Sequence, residues 1–93
     1  MAEAEARAHV IVRGRVQGVG FRAFVLRNAR ALGVAGGVRN EVDGSLTTVA
    51  TGAESALEQF RSRLSVGPPG SQVTAVEEAT LAGMPAESFD VRF

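Results

Sequence analysis

The dipeptide Asp43-Gly44, set between two β-rich runs, limits the folds open to this chain more than any other feature. Asp-Gly in that setting signals a tight β-hairpin, because both residues tolerate the positive φ such turns demand. The flanking runs, Val34–Val42 ("VAGGVRNEV") and Ser45–Ala50 ("SLTTVA"), then become neighbouring antiparallel strands. Helical patterns lie on either side. Phe21, Phe24, Val25, Ala29 and Leu32 share one face of a helix over Phe21–Leu32, and Gly33 stands just past its end. Thr51–Leu64 repeats the pattern with Ala53, Ala56, Leu57, Phe60 and Leu64. Thr51 and Glu54 have capping-box spacing there, and early Glu54 and Glu58 with late Arg61 and Arg63 suit the helix dipole. "GPPG" (Gly67–Gly70) closes that helix.

A strand over Ala8–Gly14 ("AHVIVRG") precedes the first helix, and one over Gln72–Ala82 follows the second. The order is β-α-β-β-α-β, an α+β chain of the ferredoxin-like, split βαβ type. Its antiparallel sheet has four strands, with the third between the first and second and both helices on one face. Ser88–Phe93 ("SFDVRF") alternates well enough for a short fifth strand. At 93 residues the chain builds one core, so 1–93 reads as a single domain with residues 1–7 as a flexible tail.

Composition removes several chemistries. There are no cysteines and one histidine, His9, so thiol chemistry, disulfides and a His/Cys zinc site are excluded. No apolar run approaches the roughly 18 residues of a membrane span, and the acidic start "MAEAEARAHV" has no signal-peptide pattern. The expectation is a cytoplasmic monomer with no membrane partner. Net charge is zero, against the basic surplus of nucleic-acid binders. All ten cations are arginine, so an anion site here must use guanidinium groups or backbone N–H groups.

Between the first strand and the first helix lies "GRVQGVGFR" (Gly14–Arg22). From Gly18 to Ala23, "GVGFRA" matches the dinucleotide pattern G-x-G-x-x-G/A, with Glu41 near the end of the next strand as a ribose-binding acid. The Asp-Gly hairpin opposes that reading, since a dinucleotide unit would cross over through another helix. A chain of 93 residues also lacks a second half of such a fold. A Walker loop is excluded by the missing Gly-Lys-Ser/Thr. What remains is a glycine loop feeding a helix N-terminus, where free N–H groups and the dipole favour an anion and Arg22 can fold over the same point. By spacing alone an oxyanion site and a plain structural turn stand level.

The motif "GRVQGVGFR", followed by "GGVRNEVDGSL" (Gly36–Leu46) and "GPPGSQV" (Gly67–Val73), resembles the acylphosphatase family over about residues 8–93. The resemblance implies the fold derived above and hydrolysis of the carboxyl–phosphate bond of acyl phosphates, with no metal and no cofactor. It implies a phosphate held by the backbone of Arg15, Val16, Gln17, Gly18, Val19, Gly20 and Phe21. Arg22 would be the phosphate-binding arginine and Asn40 would position the attacking water. The partner would be a small acyl phosphate, with inorganic phosphate as product and inhibitor.

The remaining residues read as structural. Asn40 alone would be a hairpin-flanking polar residue, Arg39 a solvated strand residue, and His9 structural. The family often carries an aromatic residue just before the V-R-N segment, where this chain has Gly37. The expectation is that β-strand packing around Asn40 is looser for it. A non-enzymatic ligand- or RNA-binding module is the competing function, since this fold hosts many. RNA recognition would need aromatics on the central strands, and "HVIVRG" and "SLTTVA" have no Phe, Tyr or Trp. A domain for maturation of another protein, set within a longer chain, is a third reading.

Overall fold

The computed structural model describes residues 5–78 and 89–93. Its elements are β1 (Glu5–Arg15), α1 (Phe21–Leu32), β2 (Ala35–Asn40), β3 (Leu46–Ala53), α2 (Glu54–Val66), β4 (Gln72–Glu78) and β5 (Val91–Arg92). The sheet runs β4-β1-β3-β2-β5 with every pairing antiparallel. The third strand thus lies between the first and second, as the hairpin argument requires, and the short fifth strand is present at the edge.

Alternation places Ala8, Val10 and Val12 of β1 on the helix side, all buried. Phe21, Val25 and Ala29 of α1 and Leu57, Phe60 and Leu64 of α2 close over them into one core with Leu46, Ala50 and Val38. Complete burial of a side chain such as Phe60 contributes about 1.5–3 kcal/mol. Helix α1 stops where the sequence says it should. The Gly33 and Val34 N–H groups donate back to the carbonyls of Arg30 and Ala29, a Schellman ending.

Three expectations change. Residues 5–7, assigned to a tail, are strand: Glu5, Ala6 and Arg7 pair with Ala53, Gly52 and Thr51. Thr51 is not a helix cap. It pairs with Arg7 on one side and Ala35 on the other, and α2 starts at Glu54 after Ala53 with no side-chain cap. Two ladders of backbone hydrogen bonds outweigh one capping bond. The hairpin connection is also longer than two residues. β2 ends at Asn40, the Glu41 N–H donates to the Ser45 carbonyl, and the Gly44 N–H donates to the Glu41 carbonyl. Only Gly44 has positive φ, at 92°, so this is a three-residue loop with Gly in the left-handed position. The expected residues 79–82 of the fourth strand, and Ser88 of the fifth, lie outside the described residues.

The glycine pair in β2 marks a close approach. A Cβ on Gly36 would collide with the Val49 carbonyl of β3. Gly37 differs from the expectation of a lost anchor: the Phe89 ring occupies the space beside it, where a Cβ would strike the ring. The aromatic that packs on this strand arrives from the other end of the chain.

Candidate active site

β1 leaves the sheet at Arg15, which still pairs with Gln72, and residues 16–20 carry the chain round to α1. Gly18 and Gly20 have φ of 71° and 76°, and among the described residues beyond their chain neighbours no atom lies within 4 Å of where their Cβ atoms would be. The left-handed conformation calls for glycine, and it leaves one side of the loop as bare backbone. The loop is anchored by its other residues. Val16 is buried, Val19 packs against the core, and the Gln17 Nε2 donates to the carbonyls of Glu41 (2.8 Å) and Ser45 (2.9 Å).

The first intrahelical bond of α1 runs from the Phe24 N–H to the Gly20 carbonyl at 3.0 Å. The N–H groups of Phe21, Arg22 and Ala23 therefore have no partner within the helix. Among the described residues no side chain caps them, and the first turn holds no acid. This is the positive end of a helix dipole left unneutralised, with the Arg22 guanidinium added beside it.

Asn40 is the last residue of β2, on the same face as buried Val38, which turns it toward the loop. Its Oδ1 is buried and finds no hydrogen-bond partner among the described residues. Leaving a buried acceptor unsatisfied costs about 1–3 kcal/mol, a cost that invites a functional explanation. Asn40, Arg22, Val16, Gly18, Gly20, Phe21 and Ala23 together line one hollow of about 210 Å³. Of the residues expected at a phosphate site, Arg15, Gln17 and Val19 do not line it: the first is held in the sheet, and the other two are turned inward as anchors.

Two contributors had no signal in the sequence. One is the Gln17 side chain, which locks the loop to the hairpin. The other is Asp90, just before β5. Its Oδ2 accepts from the Asn40 backbone N–H at 2.8 Å and from the Arg22 Nη1 at 3.2 Å. Alternation marked Asp90 only as a polar residue of a short strand, and nothing local connects it to Arg22.

A larger hollow of about 460 Å³ lies against the sheet face away from the helices, lined in part by His9, Arg13, Arg39, Glu41 and Asp43. Its cations are already engaged. Arg13 pairs with Glu77 at 2.9 Å and Asp43 at 3.3 Å, and Arg39 pairs with Glu41 at 2.6 Å. Glu77 and Asp43 both raise the Arg13 pKa, Glu77 the more strongly. Glu41, so bound, is not available as a ribose acid, and Arg39 is not a second free anion ligand. The smaller hollow, with an uncapped helix end, is the better anion site. Among the described residues no three His, Asp or Glu side chains gather as a metal-ligand set.

Comparison with known proteins places these features in context. The acylphosphatase family model matches residues 8–91. An acylphosphatase of Rhizobium etli is 44% identical over 89 residues, covering 94% of this chain and 95% of the relative. The crystal structure of acylphosphatase from Bacillus subtilis superposes with a TM-score of 0.78 at 40% identity, covering 86% of this chain and 91% of that one. The full-length HypF structure, in phosphate- and nucleotide-bound form, matches with a TM-score of 0.79 at 26% identity. It covers 96% of this chain, which spans 12% of HypF.

Proposed function

Because the chain belongs to the acylphosphatase family and hydrolyses the carboxyl–phosphate bond of acyl phosphates, we propose that the hollow at the start of α1 is where that bond is cut. The phosphoryl oxygens take the backbone N–H groups that face the hollow from the glycine loop of residues 16–20 and from the first turn of α1, and the Arg22 guanidinium closes over them. Asn40 holds the attacking water. Its unpartnered Oδ1 accepts one O–H of that water, which aims the oxygen lone pair at phosphorus.

The step balances without a general base. The water oxygen forms a bond to phosphorus as the bond from phosphorus to the carboxyl oxygen breaks. The electron pair of that bond leaves on the carboxylate, and the water proton passes to a phosphoryl oxygen. A carboxylate is a stable leaving group, so no acid need protonate it. Catalysis by position and by neutralised charge is what phosphoryl transfer asks of a protein. The hollow, at about 210 Å³, is below the ~300–1,000 Å³ of sites that enclose a drug-sized molecule. It holds the phosphoryl group and leaves the acyl chain outside, so the enzyme accepts varied acyl phosphates.

The observation that carries the reading is the meeting of Arg22, Asn40 and the bare glycine loop at one hollow. The same reading makes the protein a cytoplasmic monomer that needs no metal and binds neither nucleic acid nor membrane. Its support is that β1 and β3 carry no Phe, Tyr or Trp, that among the described residues Val42 and Val66 are the large apolar ones left exposed, and that no described helix is long and apolar enough to cross a membrane. The test is hydrolysis of benzoyl phosphate with a chelator present, by wild type, Arg22→Ala and Asn40→Ala. Wild type turns over, inorganic phosphate inhibits competitively, and each variant loses on the order of 10²-fold or more. Folded alanine variants with near-full activity would overturn the assignment.

A further inference from the structure

Asp90 lies 68 residues from Arg22 in sequence, yet one of its oxygens serves both residues assigned to the reaction. β5 pairs with β2 through Gly37–Arg92 and Val38–Val91, and the Asp90 N–H donates to the Val38 carbonyl. The next donor along β2 is the Asn40 N–H. The Asp90 carboxylate takes it through Oδ2. The same oxygen then reaches across to the Arg22 Nη1.

This contact is badly placed to be a stability device. The Arg22 and Asp90 side chains are 45% and 35% exposed, and ion pairs that open contribute little to folding. Its geometry is better suited to restraint. Arg22 is a long side chain on the solvent side of a helix start, with much rotamer freedom to lose when it engages a ligand. Asp90 occupies one N–H of a guanidinium that carries five, leaving the rest for phosphate. It also sets the guanidinium at a defined place relative to the backbone of Asn40. A carboxylate so close to an anion site has a second effect, since it opposes ground-state binding of the phosphate dianion.

Resting on the proposed roles of Arg22 and Asn40, we propose that Asp90 is a positioning residue: it trades tight phosphate binding for a preset Arg22–Asn40 geometry. The test compares Asp90→Ala and Asp90→Asn with wild type in kcat, KM for benzoyl phosphate and the inhibition constant of inorganic phosphate, with thermal unfolding as a check on folding. Both variants are expected to lose kcat roughly 10-fold, while KM and the phosphate inhibition constant fall about 2- to 5-fold as the opposing charge is removed. Asparagine keeps an acceptor for the Asn40 N–H but no charge, so it restores whatever Asp90 does for the strand alone. Wild-type kinetics in Asp90→Asn would therefore reduce Asp90 to a strand-end acceptor and overturn the proposal. A loss of phosphate affinity in both variants would overturn it equally. Neither outcome touches the roles of Arg22 and Asn40, which stand or fall on their own alanine variants.

Discussion

The two helices of this protein begin in opposite ways. Helix α2 grows directly out of β3, and its first residue is Glu54, an acid set on the positive end of the dipole. Helix α1 begins only after the glycine loop of residues 16–20, has no acid in its first turn, and carries Arg22 there instead. Neither start has a side-chain cap, so the difference lies in charge and in what faces each one. α2 neutralises its own end within the chain. α1 leaves N–H groups, a dipole and a guanidinium pointing at a hollow, and on the proposed reading the phosphoryl group of the substrate completes that arrangement. A helix end that forgoes its own acid gives up about 0.3–1 kcal/mol of local stabilisation, and of these two helices the one that forgoes it is α1, where we propose that the phosphate binds.

The sharpest way to break that contrast is to give α1 the acid that α2 has. Ala23 lines the hollow in the first turn of α1. With Ala23→Glu, a carboxylate at ~4 Å from a phosphoryl oxygen opposes it by several kcal/mol near a protein surface. The expected result is a loss on the order of 10²-fold in kcat/KM, with the fold intact and α1 slightly stabilised. Glu54→Ala is the control in the other direction: it costs α2 about 0.3–1 kcal/mol in denaturant unfolding and leaves kcat/KM unchanged. Equal kinetics in the Ala23→Glu enzyme and wild type would mean that the start of α1 does not hold the phosphate.

The hollow also depends on what stands opposite α1, and a milder substitution tests that side. Gly37 lies three residues before Asn40, with the Phe89 ring against it. Gly37→Tyr adds a second aromatic to a filled place, so overpacking is expected to destabilise the protein by about 1–3 kcal/mol. The double variant Gly37→Tyr with Phe89→Gly relieves the collision and is expected to recover most of that loss, as a midpoint in chemical denaturation will show. A single Gly37→Tyr variant more stable than wild type would mean that the strand does lack an anchor.

How much of this was legible in the chain follows from the range of each interaction. The bounds of α1 were readable because apolar residues recur at helical spacing from Phe21 to Leu32 and Gly33 stands just past the end, and local rules decide such ends. The spacing of Thr51 and Glu54 misled for the same reason: a capping box is a local pattern, and Thr51 obeys the two strands on either side of it. Asp43-Gly44 announced the hairpin correctly, while the loop length depended on Gln17 and Ser45 as well. Arg22 was in view from its place in the first turn after the glycine loop, whereas Asn40 came into view only through the resemblance to the acylphosphatase family. Phe89 on Gly37, and Asp90 between Arg22 and Asn40, were invisible because each contact joins residues some fifty or more positions apart through side-chain detail.

The smallest expected effect concerns the turn on which the α1 loop leans. Gln17 donates to the carbonyls of Glu41 and Ser45, and the turn between them is held by Asp43, whose Oδ1 accepts from the Ser45 hydroxyl at 2.6 Å and its N–H at 3.0 Å. The Ser45 hydroxyl and then its backbone N–H keep the Asp43 carboxyl below its ordinary pKa, with a lesser contribution from Arg13. A carboxyl whose pKa is lowered by folding stabilises the fold fully above its unfolded value of about 3.9. That contribution is lost as pH falls through the lower native value. Asp43→Asn cannot titrate, so the difference in unfolding midpoint between it and wild type is expected to be level from about pH 5 to 8. It should shrink progressively below about pH 4. A difference that widened on acidification would have the wrong sign, and would place the restraint on the turn, and so on the loop that Gln17 ties to it, somewhere other than Asp43.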